Sequence, residues 1–149
     1  MIENEEGNKM KIALIACVSK KNPYTCPAKD LYISSLFKSS YSFAKKIGVD
    51  KIFILSAEYH LVEEDRELPP YENTLNDKNT AYIKKWAEEV KKQLREKTDV
   101  EHDEFIILAG EKYRKYIVDI LTNKCIPLEG KRIGEQLSYL KQMITGEQK

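Results

Sequence analysis

A hydroxyl, a carboxylate, a phenol and an imidazole stand almost side by side in Ser56-Ala57-Glu58-Tyr59-His60. They follow directly on an apolar run, Ile52-Phe53-Ile54-Leu55, and precede the acidic residues Glu63, Glu64 and Asp65. A carboxylate beside an imidazole is a pair that can hold and pass a proton near neutral pH, orient a water or protonate a leaving group. Glu58 and His60 are therefore the candidate catalytic residues. Glu63, Glu64 and Asp65 have the look of a solvated loop, and no G-x-S-x-G elbow accompanies any serine. A second set of polar groups is cationic or glycine-rich. It comprises Ser19, Lys20 and Lys21; Gly110, Tyr113 and Arg114; and Gly130, Lys131, Arg132, Gly134 and Glu135. Glycines and cations near helix starts suit phosphate or another anion, because unpaired amides and the positive dipole end meet there.

These groups need a scaffold that brings them together. Ile52–Leu55 is too short for a helix and rich in β-branched and aromatic residues, which reads as a buried strand. Lys11–Cys17 and Glu104–Gly110 read the same way, and Cys125–Leu128, with Pro127 inside it, reads as a short edge strand. Between them, apolar residues recur at helical spacing: Leu31 to Ile47, closed by Gly48; about Asn79 to Lys97, with Trp86 as a core anchor; Glu111 to Leu121; and Leu137 to Ile144. Strand and helix alternate throughout. The fold class expected is α/β, a three-layer α/β/α sandwich around a mainly parallel sheet of about four strands. In such sheets ligands sit beyond the carboxyl ends of the strands, and the loops that follow the strands open on one rim. One cleft is thus expected to hold Ser19, Lys20, Ser56, Glu58, His60, Gly110, Tyr113, Arg114 and Gly134, with Tyr59, Tyr71 and Glu135 completing the ligand-binding set.

The totals narrow the classes. One domain over residues 10–146 suits a chain of 149, with a short disordered lead at 1–9 and a tail at 147–149. Lys and Arg number 25 against 24 Asp and Glu, so no global basic field announces nucleic acid, though a local patch remains open. No apolar run is long enough for a membrane span, and the polar start MIENEEGNKM lacks signal-peptide features, so a cytoplasmic protein is expected. Cys17, Cys26 and Cys125 are odd in number and widely spaced, which argues against disulfides. With His60 they form no ligand spacing, so no metal is expected. Neither a Walker motif nor G-x-G-x-x-G is present, and no cofactor is expected.

The motif set as a whole resembles a family of small bacterial and phage proteins of unknown function, motif-related to the peroxide-stress YaaA family. The resemblance rests on Cys17 through Lys21 after the first strand and on Pro27-Ala28-Lys29-Asp30-Leu31-Tyr32. It continues in Ser56 through Leu61, Pro70-Tyr71, Ala109-Gly110-Glu111-Lys112-Tyr113, and the stretch from Pro127 to Leu137. It spans nearly the whole chain. His60 stands where such proteins commonly carry Gly, and Glu58 where Lys is common. The resemblance implies an outline like that of uracil-DNA-glycosylase-like α/β folds, with some relatives linked to DNA binding, oxidative stress or modified-base metabolism. The first expectation is an enzyme on a nucleobase, nucleoside or nucleotide, with N-glycosidic cleavage or transfer favoured. Lys20 and Arg114 would hold an anionic group, Tyr59 or Tyr71 would stack on the base, and Glu58 or His60 would do the proton work. The alternatives are a non-catalytic nucleic-acid-binding module using Lys20, Lys21, Lys112, Arg114, Lys131 and Arg132, and a nucleotide sponge with the same pocket and no turnover.

Overall fold

The structure, a computed structural model, describes residues 9–16 and 20–146. Cys17, Ser19, most of the expected lead and the tail at 147–149 lie outside the described residues. In chain order the elements are β1 (Lys11–Ala16), β2 (Cys26–Pro27), α1 (Ala28–Leu31), α2 (Ser35–Lys46) and β3 (Lys51–Ser56). Then come β4 (His60–Glu63), β5 (Glu67–Leu68), α3 (Thr80–Lys97), β6 (Glu104–Ala109), α4 (Glu111–Arg114), β7 (Asn123–Cys125) and α5 (Ile133–Thr145). The fold is mixed α/β. Five strands form one sheet in the order β4-β3-β1-β6-β7, and β2 pairs with β5 in a separate antiparallel ribbon.

β1 sits at the centre, with β3 and β6 parallel to it on either side. Its residues Ala13, Leu14 and Ile15 are fully buried, as are Phe53, Ile54, Leu55, Phe105, Ile107 and Leu108 on the flanking strands. Continuous burial is what a central parallel strand imposes, and it explains the unbroken apolar runs. Each such large side chain contributes about 1.5–3 kcal/mol by leaving water. α2 packs against α5, and α3 against β4. The helix starts are chemically capped: Ser34 Oγ accepts from the Phe37 amide at 3.2 Å, and Asn79 Oδ1 from the Tyr82 amide at 2.9 Å. Gly48 and Gly146 end α2 and α5 in the left-handed conformation that glycine alone adopts freely, at φ +77° each.

Four expectations need correcting. The chain after β3 is not an open acidic loop. It turns within three residues and returns as β4, antiparallel to β3, with Ser56 opposite His60 and Leu55 opposite Leu61. Burying Leu61 and Val62 drives this hairpin, and His60 adopts a left-handed φ of +67° to make the turn. The sheet accordingly has five strands rather than about four. The helix after Gly110 is one turn, Glu111–Arg114, followed by a short 3-10 turn at Val118–Ile120, where β-branched residues crowd. The last strand is Asn123–Cys125 rather than Cys125–Leu128, so Pro127 stands outside the sheet, where its missing N–H costs no ladder bond. Edge strand β4 is protected in part by α3: Gln93 Oε1 accepts from the Leu61 amide at 2.9 Å.

Candidate functional site

Strand directions alone locate a crevice. From β1 the chain leads to β3 on one side, and from β6 it leads to β7 on the other. Two adjacent parallel strands whose connections part in this way leave a gap at their carboxyl ends, the usual ligand position of open α/β sheets. A cavity of about 1400 Å³ opens there, floored by Ala16 of β1 and Leu108–Gly110 at the end of β6. Pockets for single small ligands run to roughly 1000 Å³, so this one has room for a nucleotide with space to spare.

Four segments wall the cavity. Lys21 and the two residues after it form one side, and the first turn of α2 from Ser34 forms another. The stretch from Pro70 to Asp77 forms the third. The fourth is Leu128 to Lys131 with Ile133, Gln136 and Leu137 from the start of α5. Tyr113 and Arg114 of α4 stand beside the floor. Arg114 Nε donates to the Ala109 carbonyl at 3.2 Å, which fixes the side chain and leaves its Nη groups without a hydrogen bond among the described residues. Tyr113 is buried, and its hydroxyl accepts from the Leu75 amide at 3.2 Å, tying α4 to the third wall. The charge is mixed. Lys21, Arg114 and Lys131 face the space together with Glu72, Asp77, Glu111 and Glu129, and Asp77 is paired with Lys78 at 2.6 Å.

The most closely knit part of the wall is aromatic and hydroxylic. Tyr71 Oη lies 2.8 Å from Ser56 Oγ and 2.8 Å from Tyr32 Oη. Ser56 Oγ also accepts from the amides of Tyr59 at 2.9 Å and Glu58 at 3.2 Å. The Tyr59 ring meets Tyr71 edge-on, with centroids 5.4 Å apart. Lys21 Nζ stands over the Tyr71 ring, 4.4 Å from its centre. Burial lowers the Lys21 pKa, and the Glu72 carboxylate partly offsets this. Burial raises the Tyr71 pKa, against the opposing pull of the Ser56 and Tyr32 hydroxyls, so the phenol is protonated at neutral pH.

Of the residues singled out in the sequence, Tyr71, Gly110, Tyr113 and Arg114 line the cavity. Ser56 and Tyr59 form the layer behind Tyr71. Glu58 is exposed and accepts from Asn73 Nδ2 at 2.9 Å, so it braces the third wall from outside. His60 does not line the cavity. It opens β4 with its ring stacked on Trp86, centroids 6.4 Å apart, and Trp86 in turn donates from Nε1 to the Ser56 carbonyl at 2.9 Å. Lys20 is exposed and contributes its carbonyl to the Ile33 amide, while its neighbour Lys21 faces the cavity. Gly134 and Glu135 border a separate shallow recess of about 590 Å³ along α5. Glu135 caps that helix, accepting from the Arg132 amide at 2.7 Å. Ser19 is outside the described residues. No group of three or more His, Cys, Asp or Glu that could hold a metal occurs among the described residues. Within them, no helix is long and apolar enough to cross a membrane.

Sequence reasoning passed over Tyr32 and the stretch from Glu72 to Asp77. Tyr32 entered only as the last residue of the Pro27–Tyr32 motif, with no role given to it, and the second stretch reads as plain loop. The Pro69-Pro70 pair before Tyr71 was the available signal, since it fixes the path that carries Tyr71 back over Ser56.

The five-stranded, mostly parallel sheet with its helices makes this a mixed α/β protein. Within that class the chain belongs to a family of unknown function (DUF6884), matched over residues 12–142. No curated protein matches the chain.

Proposed function

We propose that the crevice between β1 and β6 binds a nucleobase, nucleoside or nucleotide and that the protein cleaves or transfers its N-glycosidic bond. One observation carries the reading: the held Arg114 fork, whose Nη groups have no hydrogen bond among the described residues, shares a roomy switch-point cavity with the phenol of Tyr71. The fork suits a phosphate or other planar anion, with Lys131 and Lys21 adding charge. Tyr71 and Tyr113 supply aromatic surface for a base. The interleaved carboxylates favour a small ligand with both donors and acceptors over a long polyanion, which would meet four like charges. The motif likeness to the YaaA family and the base chemistry of some relatives points the same way. A three-layer packing of the helices on the sheet belongs to this reading too.

The test is incubation of the protein with a panel of nucleosides, nucleotides and short single-stranded DNA, followed by chromatography for free base and by calorimetry for binding. The reading expects one member to bind and to release its base, and release to fail with Arg114→Ala. Absence of binding across the panel overturns it. Binding without turnover is the second reading, favoured by the place of Glu58 and His60 off the cavity wall; a bound nucleotide recovered intact selects it. A nucleic-acid module using Lys20, Lys21, Lys112, Arg114, Lys131 and Arg132 would instead lose affinity for mixed DNA steeply with salt.

A further inference from the structure

The three hydroxyls of Ser56, Tyr71 and Tyr32 share a fixed number of protons, and counting them gives each a direction. Ser56 is fully buried. Its oxygen accepts from two amides, those of Glu58 and Tyr59, so its own proton goes to the remaining partner, Tyr71 Oη, at 2.8 Å. Tyr32 is also enclosed, at 1 % exposure, and its hydroxyl lies 2.8 Å from Tyr71 Oη; the Ser56 hydroxyl also acts on it, but as a donor, since the Ser56 oxygen already accepts from two amides and offers the Tyr32 proton no free lone pair. Were Tyr71 to donate to Tyr32, the Tyr32 proton would be shut in the core with no acceptor, at the full desolvation cost of an unmade bond. Every group is satisfied only if Tyr32 also donates to Tyr71. The Tyr71 oxygen then has two donors, and its own proton is the one left over. Tyr71 alone of the three lines the cavity.

We propose that the Tyr71 hydroxyl is the donor the cavity presents to its ligand, aimed at an acceptor nitrogen or carbonyl of the base and serving as general acid when the base leaves. The ligand class rests on the nucleotide reading above; the direction of the proton does not. In the reaction the Tyr71 proton passes to the base nitrogen as the C–N bond breaks and its electron pair stays on the base. Water adds to the sugar carbon and gives up a proton, and solvent returns one to Tyr71. The phenolate formed on the way keeps the Ser56 and Tyr32 hydroxyls as donors, and the Lys21 ammonium lies over its ring at 4.4 Å. The phenol carries its proton at neutral pH as any tyrosine does, and burial shifts its pKa further from neutrality. Glu58 and His60 are not needed for this step.

The direction is tested on the unliganded protein by NMR of ζ-¹³C-tyrosine label, assigned with Tyr32→Phe and, where it folds, Tyr71→Phe. The Tyr32 hydroxyl proton is expected to exchange with water at least about tenfold more slowly than that of Tyr71. The reverse order, or equal rates, overturns the proposal. The role is tested with uridine and adenosine 5′-monophosphate as probes and inorganic phosphate as control. Tyr71→Phe is expected to weaken nucleotide binding about tenfold, the worth of one hydrogen bond, and to leave phosphate binding unchanged. Equal nucleotide binding by wild type and Tyr71→Phe overturns the donor role. If the wild type binds neither nucleotide, the nucleotide reading fails, and the proton's direction is still decided by the exchange rates.

Discussion

β3 and β6 are both six-residue parallel strands beside β1, and polar residues follow closely on both, yet they leave the sheet in opposite manners. β6 runs out into Gly110 and α4, and its last residues become the floor of a cavity. β3 doubles back at once into β4, and its polar residues are spent on the turn itself. Ser56 Oγ caps two amides, Glu58 holds Asn73, and His60 supplies the left-handed residue. Polar side chains after a buried strand therefore do not alone define a site. What decides is whether the next element leaves the strand's end open or folds back across it. The hairpin still serves the cavity at one remove, because Ser56 and Tyr59 set Tyr71 in place.

The largest effect expected on this contrast comes from Trp86, the post between the two regions. Its indole stacks on His60, bonds the Ser56 carbonyl and meets the Tyr113 ring edge-on at 5.7 Å. Trp86→Ala removes a buried aromatic and is expected to cost about 3–5 kcal/mol in urea unfolding. A loss under about 1 kcal/mol would mean that the hairpin and α4 are held together by something else.

Arg114→Ala separates site from scaffold in the other sense. The variant is expected to unfold within about 0.5–1 kcal/mol of wild type, losing only the bond to the Ala109 carbonyl. Its affinity for a nucleoside monophosphate should fall at least about tenfold, because a charge-assisted fork is lost. Calorimetry on both proteins reads this directly, and unchanged affinity would remove Arg114 from the site.

A smaller effect distinguishes turn from catalyst at His60. Both His60→Ala and His60→Gly delete the ring, but only glycine relaxes at φ +67°. His60→Gly should be the more stable of the two by about 1–2 kcal/mol in thermal or urea unfolding. Ligand binding by the folded variants should stay near wild type. If the two variants are equally stable, the left-handed turn is not a constraint; if both lose binding while folded, His60 belongs to the site after all.

The smallest effect lies far from both regions. A hydrogen bond from the His102 ring to the Asp99 carboxylate, at 2.9 Å, raises the exposed imidazole above its ordinary pKa. A raised folded value means that the pair's stabilisation is complete below the ordinary imidazole pKa, as long as Asp99 stays ionised. It is lost as pH rises through the raised value. Urea midpoints of wild type and His102→Gln should thus differ slightly on the acid side of that range and converge on the alkaline side. Divergence toward alkaline pH would contradict the sign.

Much of the scaffold was legible because burial writes itself into sequence. Ile12–Ala16, Ile52–Leu55 and Phe105–Leu108 are unbroken apolar runs, and each is a parallel strand pairing as expected. The long helix was bounded by Asn79 and Lys97, where a cap residue and the end of the apolar stripe coincide. β4 was not legible, since Leu61-Val62 is a two-residue apolar signal inside a charged stretch. The site was half legible. Gly110, Tyr113 and Arg114 follow a strand end and were found by that rule. Lys20 was expected in the cleft and Lys21 lines it instead, because which of two adjacent cations faces inward depends on the bridge that pairs Lys21 with Tyr32. The 70–77 wall reaches the cavity only through tertiary contacts, chiefly Tyr71 on Ser56 and Leu75 on Tyr113.

The claim that the crevice, and not the hairpin turn, is the ligand site is tested most directly by amide and side-chain NMR shifts during titration with nucleoside 5′-monophosphates. The account predicts saturable shifts centred on Tyr71, Gly110, Arg114 and Lys131, with those of Glu58 and His60 smaller and following them. Shifts centred on Glu58 to His60 and sparing Gly110 and Arg114 would contradict it.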